Sequence, residues 1–389
     1  MTERIYYSDS YQSEFEATIT AVEVSDGRQL VRLDRTAFYP TSGGQPHDTG
    51  LLGDARVVEV IDSDDEDVLH VVEGTVADGS QVRARIDWTR RFDHMQQHTG
   101  QHVLSAAFDR LVSARTESFH LGAESATIDL GRQVSPIEIA RAEDDANRVV
   151  WEDRPVTVAF ADAEAAAKLP LRKEAARGGT LRLIDIRDYD LSACGGTHVA
   201  ATGAIGVIAV TGWERFKGGT RVGFVCGGRA LRAHRTLRDI VASSLRLLSV
   251  APDELPLAIE RVQAEVRDGK RSIRDFEAKL ARHEAATLAA AAGDEPVIAA
   301  LEGWDQAGLK AIAAAVAERP GGVAALLGLP SPFAIVVARH DEVAVNAAEV
   351  LKQVVARFGG KGGGRPELAQ GGGLQGEAQA VVAYLRELL

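Results

Sequence analysis

The sequence contains very little cysteine: Cys194 and Cys226 are the two cysteines in 389 residues. Two cysteines cannot build the disulfide framework that stabilises small secreted proteins. No apolar run reaches the roughly 20 residues that a membrane-spanning helix needs, and the N-terminus lacks the charged-then-apolar order of a signal peptide. The sequence therefore predicts a cytoplasmic protein without a membrane partner.

Positive charge is also scarce, since 44 Lys and Arg residues stand against 56 Asp and Glu residues, for a formal net charge of −12. This balance argues against a protein that attracts nucleic acid over its whole surface, although it allows a local basic patch. A chain of this length is too long for one hydrophobic core, so we expect several domains.

A first pair of metal-ligand side chains lies in a predicted helix, residues 88–111. His98 and His102 are four residues apart, so they share one helix face with their Cβ atoms about 5–6 Å apart. That spacing allows both imidazoles to bind one metal ion. Taken alone, such a pair is more often a pair of core or surface histidines.

A second pair, Cys194 and His198, flanks a glycine turn. We expect Gly195 and Gly196 to adopt backbone angles that turn both side chains to one point. Three imidazoles and one thiolate suit tetrahedral zinc. Because both pairs occur in one chain with so few cysteines and histidines, the sequence predicts a Zn²⁺ site formed by the four residues.

Segment 36–46 contains Pro40 and Pro46 and a pair of glycines, a composition that excludes a helix or a central strand. Two interpretations remain open at this point. The segment is either a structural loop or a loop that holds Thr36 and Gln45 toward a ligand.

A basic stretch, residues 213–238, contrasts with the acidic whole. Glu214 is its one carboxylate, and a surface that merely faces solvent usually mixes both signs. We interpret the stretch as a phosphate-binding surface, with Arg215, Lys217 and Arg221 as candidate RNA contacts. Its cations are Arg215, Lys217, Arg221, Arg229, Arg232, Arg235 and Arg238.

A heptad pattern marks the following helical region, in which apolar residues recur at steps of three and four. The pattern predicts a partner helix. That partner is either the preceding predicted helix, residues 229–249, or a second copy of the chain, which would give a homodimer through the helical or C-terminal region. The seam positions are Ile259, Val262, Val266, Gly269, Ile273, Phe276, Leu280 and His283.

Glycines crowd residues 359–366, between two predicted helices of a C-terminal domain. A flexible linker has no reason to lie between two helices of one domain or to hold Lys361 and Arg365. We therefore predict a loop whose backbone N–H groups and cations bind phosphate, here of RNA.

The fold class predicted from these patterns is α+β. The acidic segment 62–67 is predicted to be a solvated turn within the first domain. The predicted domains are a β-barrel at 1–87, a zinc-binding α+β domain at 88–228, a helical hairpin at 229–292, and an α/β domain with the glycine-rich loop at 293–389.

Together, the two ligand pairs, the 36–46 segment, the basic stretch and the glycine-rich segment resemble the free-standing alanyl-tRNA editing proteins, relatives of the editing half of alanyl-tRNA synthetase. The C-terminal segment resembles the DHH-associated domain of that synthetase. The resemblance implies hydrolysis of Ser-tRNA(Ala) and Gly-tRNA(Ala), zinc at the four-residue site, tRNA(Ala) as partner, and Thr36 and Gln45 facing the substrate. It implies no aminoacylation, because the sequence begins at the β domain.

The implied chemistry leaves one question open. Four protein ligands fill a tetrahedral zinc ion, whereas catalytic sites usually keep one position free for water. Either the ion expands to five-coordinate, or one residue is not a ligand, or zinc orients the substrate while another water attacks. Two other functions also remain open: a zinc-containing RNA-binding module without catalysis, and a zinc esterase for small molecules.

Overall fold

The structure, a computed structural model, describes residues 2–25, 27–63, 67–172 and 180–389. The chain divides into two units, Met1–Ser243 and Ser244–Leu389. The acidic turn predicted at 62–67 lies partly outside the described residues. Within the described part, no helix is long and apolar enough to cross a membrane.

A closed β-barrel begins the first unit. Its strands and two short flanking ones are β1 (Glu3–Arg4), β2 (Glu14–Ser25), β3 (Arg28–Leu33), β4 (Arg35–Thr36), β5 (Gly50–Leu52), β6 (Ala55–Asp62), β7 (Val68–Glu73) and β8 (Gln81–Ile86). The barrel order is β2-β3-β7-β6-β5-β8. Alternate residues of β2, such as Phe15, Ala17 and Ile19, are buried in it, as the two-residue period of a strand requires. The predicted barrel is confirmed.

The rest of the first unit packs helices on antiparallel strands. The elements are α1 (Trp88–Val112), β9 (Thr116–Leu121), β10 (Ala126–Leu130), α2 (Pro136–Trp151), β11 (Val156–Ala161), α3 (Ala163–Ala166), β12 (Leu181–Ile186), β13 (Asp190–Ala193), β14 (Ile208–Phe216), β15 (Gly219–Cys226) and α4 (Gly227–Leu248), whose last residues belong to the second unit. The strands form sheets in the orders β14-β15-β10-β9 and β11-β12-β13. The α+β prediction is confirmed, although the sequence patterns had not indicated β9, β10 or β13.

Helix α1 is the element that positions the candidate site. It begins where the Asp87 carboxylate accepts a hydrogen bond from the backbone N–H of Arg90, a standard N-cap that satisfies a free helix donor. Its central turns are almost entirely buried, with Val103, Leu104 and Phe108 in the domain core. The polar residues of these turns are therefore held inside the protein.

The second unit is an α/β structure. Its elements are α5 (Leu255–Ala292), β16 (Val297–Glu302), α6 (Gln306–Ala317), β17 (Val323–Leu329), β18 (Phe333–Arg339), α7 (Ala347–Phe358), β19 (Lys361–Gly364), β20 (Leu368–Leu374) and α8 (Ala378–Leu388). The sheet order is β16-β17-β18-β20-β19, with the β16–β17 pair parallel and the other pairs antiparallel.

The glycine-rich segment is not the loop predicted from sequence. It forms β19, which pairs with β20 in a hairpin. The glycines are needed for close approach of the two backbones. A Cβ atom at Gly362 would lie 2.7 Å from the Cα of Gly371, and one at Gly364 would lie 2.4 Å from the Cα of Ala369. The predicted loop conformation is therefore wrong, because these glycines serve strand pairing, while phosphate binding by Lys361 and Arg365 stays a prediction.

The predicted heptad seam lies along α5, and its surface is exposed to solvent. Its apolar side chains keep a large exposed fraction within the chain: Ile259 44%, Val262 39%, Val266 51%, Ile273 58%, Phe276 67% and Leu280 54%. An apolar stripe of this length on one helix is a surface that a partner helix can cover.

Candidate metal centre

Four side chains converge inside the first unit. The ligand atoms of His98, His102, Cys194 and His198 all lie within 4.8 Å of one another. The first two come from α1 and the other two from the turn after β13. The structure thus brings together all four residues that the sequence predicted as zinc ligands.

The spacing of these atoms fits a tetrahedral ion. The Cys194 Sγ atom lies 3.3 Å from His98 Nε2 and 3.4 Å from His198 Nε2. A tetrahedral zinc ion at its usual distances from sulfur and nitrogen would hold a thiolate sulfur and an imidazole nitrogen about 3.6 Å apart. The donor set and its geometry are therefore compatible with zinc.

Each histidine of the cluster is held at its other ring nitrogen. The Nδ1 partners are Gln45 Oε1 for His98 at 2.8 Å, Asp190 Oδ2 for His102 at 3.0 Å, and Thr99 Oγ1 for His198 at 3.1 Å. An acceptor at Nδ1 fixes the tautomer in which Nε2 carries the free lone pair. His98 and His102 are thus arranged to bind a metal through Nε2. The Nε2 atom of His198 faces the Cys194 Sγ atom as well, while the Thr99 hydroxyl at its Nδ1 can either accept or donate.

The electrostatics of the cluster favour a thiolate. Burial opposes ionisation of Cys194, but its interactions with His98, His198 and His102 outweigh burial and lower the pKa of the thiol well below its usual value. Burial likewise opposes the charged form of His102, yet Asp190 and Cys194 raise its pKa to about 9. Burial lowers the pKa of His198 to about 3. The surroundings of the cluster therefore favour the thiolate form of Cys194.

The two glycines of the turn have a different role from the one predicted. Neither Gly195 nor Gly196 has a positive φ angle, so unusual backbone angles are not the reason for them. Gly196 is required by space, because a Cβ atom there would lie 2.1 Å from Cε1 of His98. At Gly195 the nearest atom to a Cβ would be Cε1 of Tyr7 at 3.8 Å, an ordinary contact.

Gln45 reaches the centre from the 36–46 segment and is completely buried. Its Oε1 atom faces His98 Nδ1 and also accepts the backbone N–H of Thr197 at 3.1 Å, while its Nε2 donates to Thr197 Oγ1 at 2.8 Å. These contacts orient His98 and the Cys-to-His turn. They indicate a positioning role, and catalysis by Gln45 itself stays a prediction.

Thr36 takes part in none of these contacts and is buried at the end of strand β4. Burial lowers the pKa of His70 to about 4, so its ring is neutral. The Nδ1–H of His70 donates to the carbonyl of Val31 at 3.1 Å, and its Nε2 therefore accepts the Thr36 hydroxyl at 2.9 Å. That hydroxyl also accepts the N–H of Phe38. Thr36 could thus offer a ligand only an acceptor lone pair.

The basic stretch is partly neutralised by distant carboxylates. Arg221 binds both carboxylate oxygens of Asp129, at 2.7 and 3.0 Å, and stacks 3.6 Å from the ring centroid of Phe216. Arg229 pairs with Asp93 at 2.6 Å. The stretch is therefore less basic in the folded protein than in the sequence.

Two of its cations lie at the exposed end of the β14–β15 hairpin. Arg215 and Lys217 are exposed, and within the described ranges neither forms an ion pair. They remain available for a phosphate. In the second unit, Lys361 and Arg365 are also exposed, with Arg365 3.9 Å from Glu367.

Sequence reasoning missed three residues that support the centre: Thr99, whose hydroxyl contacts His198 Nδ1, Asp190 and Arg182. Asp190 holds His102 from a position 88 residues away in the chain. Arg182 donates from Nη1 to the carbonyl oxygens of Cys194 and Gly196, both at 2.8 Å. The one signal for Arg182 was a charged residue inside the apolar run of β12, at a position that is 8% exposed.

Comparisons with known proteins bear on the family to which the chain belongs. Family models match at three places: "tRNA synthetases class II (A)" at 3–90, "Threonyl and Alanyl tRNA synthetase second additional domain" at 181–222, and "DHHA1 domain" at 294–389. The alanyl-tRNA editing protein AlaX-L of Pyrococcus horikoshii is 32% identical over 397 residues, which cover 95% of this chain and 94% of that protein. The chain belongs to the family of alanyl-tRNA editing proteins. The resemblance inferred from the motifs is confirmed.

This editing-family chain is also similar to part of the synthetase. The alanine–tRNA ligases of Pyrococcus abyssi and Halobacterium salinarum are 33% and 36% identical to it, over 95% and 97% of this chain but only 42% of each ligase. The chain therefore spans less than half the length of those relatives. The C-Ala domain of Aquifex aeolicus alanyl-tRNA synthetase matches 23% of this chain at 29% identity, covering 86% of that domain, with a TM-score of 0.22.

Proposed function

We propose that the protein is a trans-editing hydrolase that cleaves the aminoacyl ester of mischarged Ser-tRNA(Ala) and Gly-tRNA(Ala), with zinc at the four-residue centre. The observation that carries this proposal is the convergence of His98, His102, Cys194 and His198 in a chain of the editing family. Family membership supports editing of alanyl-tRNA in general. The two substrates and the zinc dependence are our proposal.

The residues of this chain would prepare the centre in two ways. The Cys194 thiolate supplies negative charge, and Gln45, Asp190 and Thr99 turn the Nε2 atoms inward. When bound in such a site, zinc can polarise an ester carbonyl and lower the pKa of a water toward 7. The acceptor lone pair left on Thr36 is the group we propose for the serine hydroxyl, with glycine accepted because of its small size.

For tRNA(Ala), we propose contacts in both units. Arg215 and Lys217 present exposed cations in the first unit, and Lys361 and Arg365 are exposed in the second unit, where Arg365 lies 3.9 Å from Glu367. Arg221 can join them either by binding a phosphate while it stays paired with Asp129 or by exchanging the Asp129 carboxylate for a phosphate. The editing reaction would take place in the cytoplasm.

Homodimerisation is a further part of the proposal. We propose a parallel pairing of this seam with that of a second copy, because its first three a positions carry Ile or Val and are 44–58% exposed. The d positions Val262, Gly269, Phe276 and His283 lack the leucine of a typical two-stranded coil. In that register Glu265 meets Lys270 of the second copy, and Lys279 meets Glu284. Sedimentation equilibrium of the full chain should show a dimer, and Ile273→Glu should make it monomeric. A monomer at all concentrations would exclude this interface.

The function is tested by metal content together with deacylation. We expect about one zinc per chain and hydrolysis of Ser-tRNA(Ala) and Gly-tRNA(Ala), with Ala-tRNA(Ala) spared, and we expect Cys194→Ala to lose metal and activity together. Hydrolysis of small esters but not of aminoacyl-tRNA would favour a small-molecule esterase. Tight tRNA binding with zinc but without hydrolysis would favour an RNA-binding module.

A further inference from the structure

A buried carboxylate stands behind one of the four candidate ligands. The Asp190 side chain is fully shielded from solvent. Its Oδ2 atom accepts the Nδ1–H of His102 at 3.0 Å, the Nη2–H of Arg172 at 3.2 Å and the hydroxyl of Ser192 at 3.0 Å. Its Oδ1 atom accepts the Nε–H of Arg172 at 2.5 Å. Every contact of this carboxylate therefore keeps it ionised and fixed.

The strand that carries Asp190 also leads to the thiolate. Side chains alternate along a strand, so Asp190 and Ser192 of β13 point to one face, and both are buried. Two residues further on, Cys194 enters the metal centre. Strand β13 thus supplies the residue that orients a ligand on helix α1, and the turn directly after it supplies a ligand.

Asp190 differs from the partners of the other two histidines. His98 meets the neutral amide of Gln45, and His198 meets the hydroxyl of Thr99. A carboxylate that accepts a histidine N–H fixes the ring and makes the opposite nitrogen a stronger donor to a metal, which amides and hydroxyls do less. Arg172 balances its charge, with 15% of the side chain exposed.

We propose that Asp190, held by Arg172 and Ser192, is the positioning residue that sets the metal affinity of the centre through His102. This inference rests on the proposed zinc centre. Outer partners of this kind typically change metal affinity 10- to 100-fold when lost. In this view β13 links the two ligand pairs. Its Asp190 carboxylate strengthens His102 of the first pair, and the turn after the strand carries Cys194 of the second pair.

The test measures zinc affinity of the full chain by competition with a chromophoric chelator at pH 7.5, with the melting temperature of the metal-free protein recorded in parallel. We expect Asp190→Asn to bind zinc 10- to 100-fold more weakly than wild type. Its cobalt(II) complex should show a shifted visible spectrum, since the donor strength of His102 changes. Asp129→Asn is the matched control, because Asp129, like Asp190, accepts from an arginine, at 2.7 and 3.0 Å, and from a serine hydroxyl, at 2.6 Å, and it should keep wild-type zinc affinity.

A second variant distinguishes the loss of the His102 contact from misfolding caused by an unpaired arginine. Asp190→Asn leaves the guanidinium of Arg172 without its carboxylate, so Asp190→Asn combined with Arg172→Met removes that buried charge as well. If both forms bind zinc within twofold of wild type, Asp190 has only a structural role and the proposal is overturned. If the wild-type protein itself takes up no zinc, the proposed metal centre fails, and this inference with it.

Discussion

The substitution Gly196→Ala isolates the steric requirement of the metal centre. A Cβ atom at residue 196 would lie 2.1 Å from Cε1 and 2.3 Å from Nδ1 of His98, and 3.1 Å from Oε1 of Gln45. Ordinary contact begins at 3.4 Å, so His98 or the turn must move by about 1.3 Å (3.4 minus 2.1). Metal ligands tolerate only about 0.2 Å. One methyl group should therefore displace a ligand.

The expected result is a loss of zinc affinity of at least 10-fold and a matching loss of deacylation. Overpacking of a buried site also costs about 1–3 kcal/mol, so the melting temperature of the metal-free variant should fall. Zinc affinity is measured by chelator competition, and folding by circular dichroism. Gly195→Ala is the matched control in the same turn, because its Cβ would meet nothing closer than 3.8 Å. Wild-type zinc affinity in Gly196→Ala would refute the steric account.

Four other predictions follow from the buried polar contacts and the exposed cations. Gln45→Ala should slow deacylation and also lower the free energy of unfolding by about 1–3 kcal/mol, since it leaves buried partners unpaired; a loss of rate with unchanged stability in urea would contradict the buried role. Thr36→Val should harm hydrolysis of Ser-tRNA(Ala) more than of Gly-tRNA(Ala), and equal losses on both would show that the hydroxyl serves only its bond to His70. Lys361→Ala with Arg365→Ala should flatten the log–log salt dependence of tRNA binding by about 0.9 per lost phosphate contact; an unchanged slope would remove these residues from the interface. The pKa of His70 falls from 6.5 to about 4 on folding, so its stabilisation is present above pH 6.5 and is lost as the pH falls toward 4; His70→Gln should reduce that pH dependence in urea titrations, and an identical curve would contradict it.

Local sequence patterns determined the parts of this protein that depend on residues near one another in the chain. Four-residue spacing on a helix placed His98 and His102 on one face because the helical repeat is 3.6 residues. The same periodicity predicted α5 from its heptads. The four metal ligands could be named because histidine and cysteine are rare in this chain and occurred in two tight pairs.

The glycine-rich segment shows where local patterns stop. Glycine indicates freedom of the backbone or the need for space, and sequence does not distinguish the two. At Gly196 the reason was His98, about 100 residues away, and at Gly362 it was a partner strand. In both places, the structure replaced an argument about backbone angles or loops with one about close approach.

The tertiary structure alone decided the surroundings of the site. Asp190 reaches His102, and Asp129 neutralises Arg221, only because folding brings together residues about 90 positions apart. Such contacts leave no periodic trace, since the intervening chain can have almost any pattern. Sequence could therefore specify which atoms bind a metal, while the fold determined which neighbours orient them, which cations stay exposed, and how much room one glycine must leave.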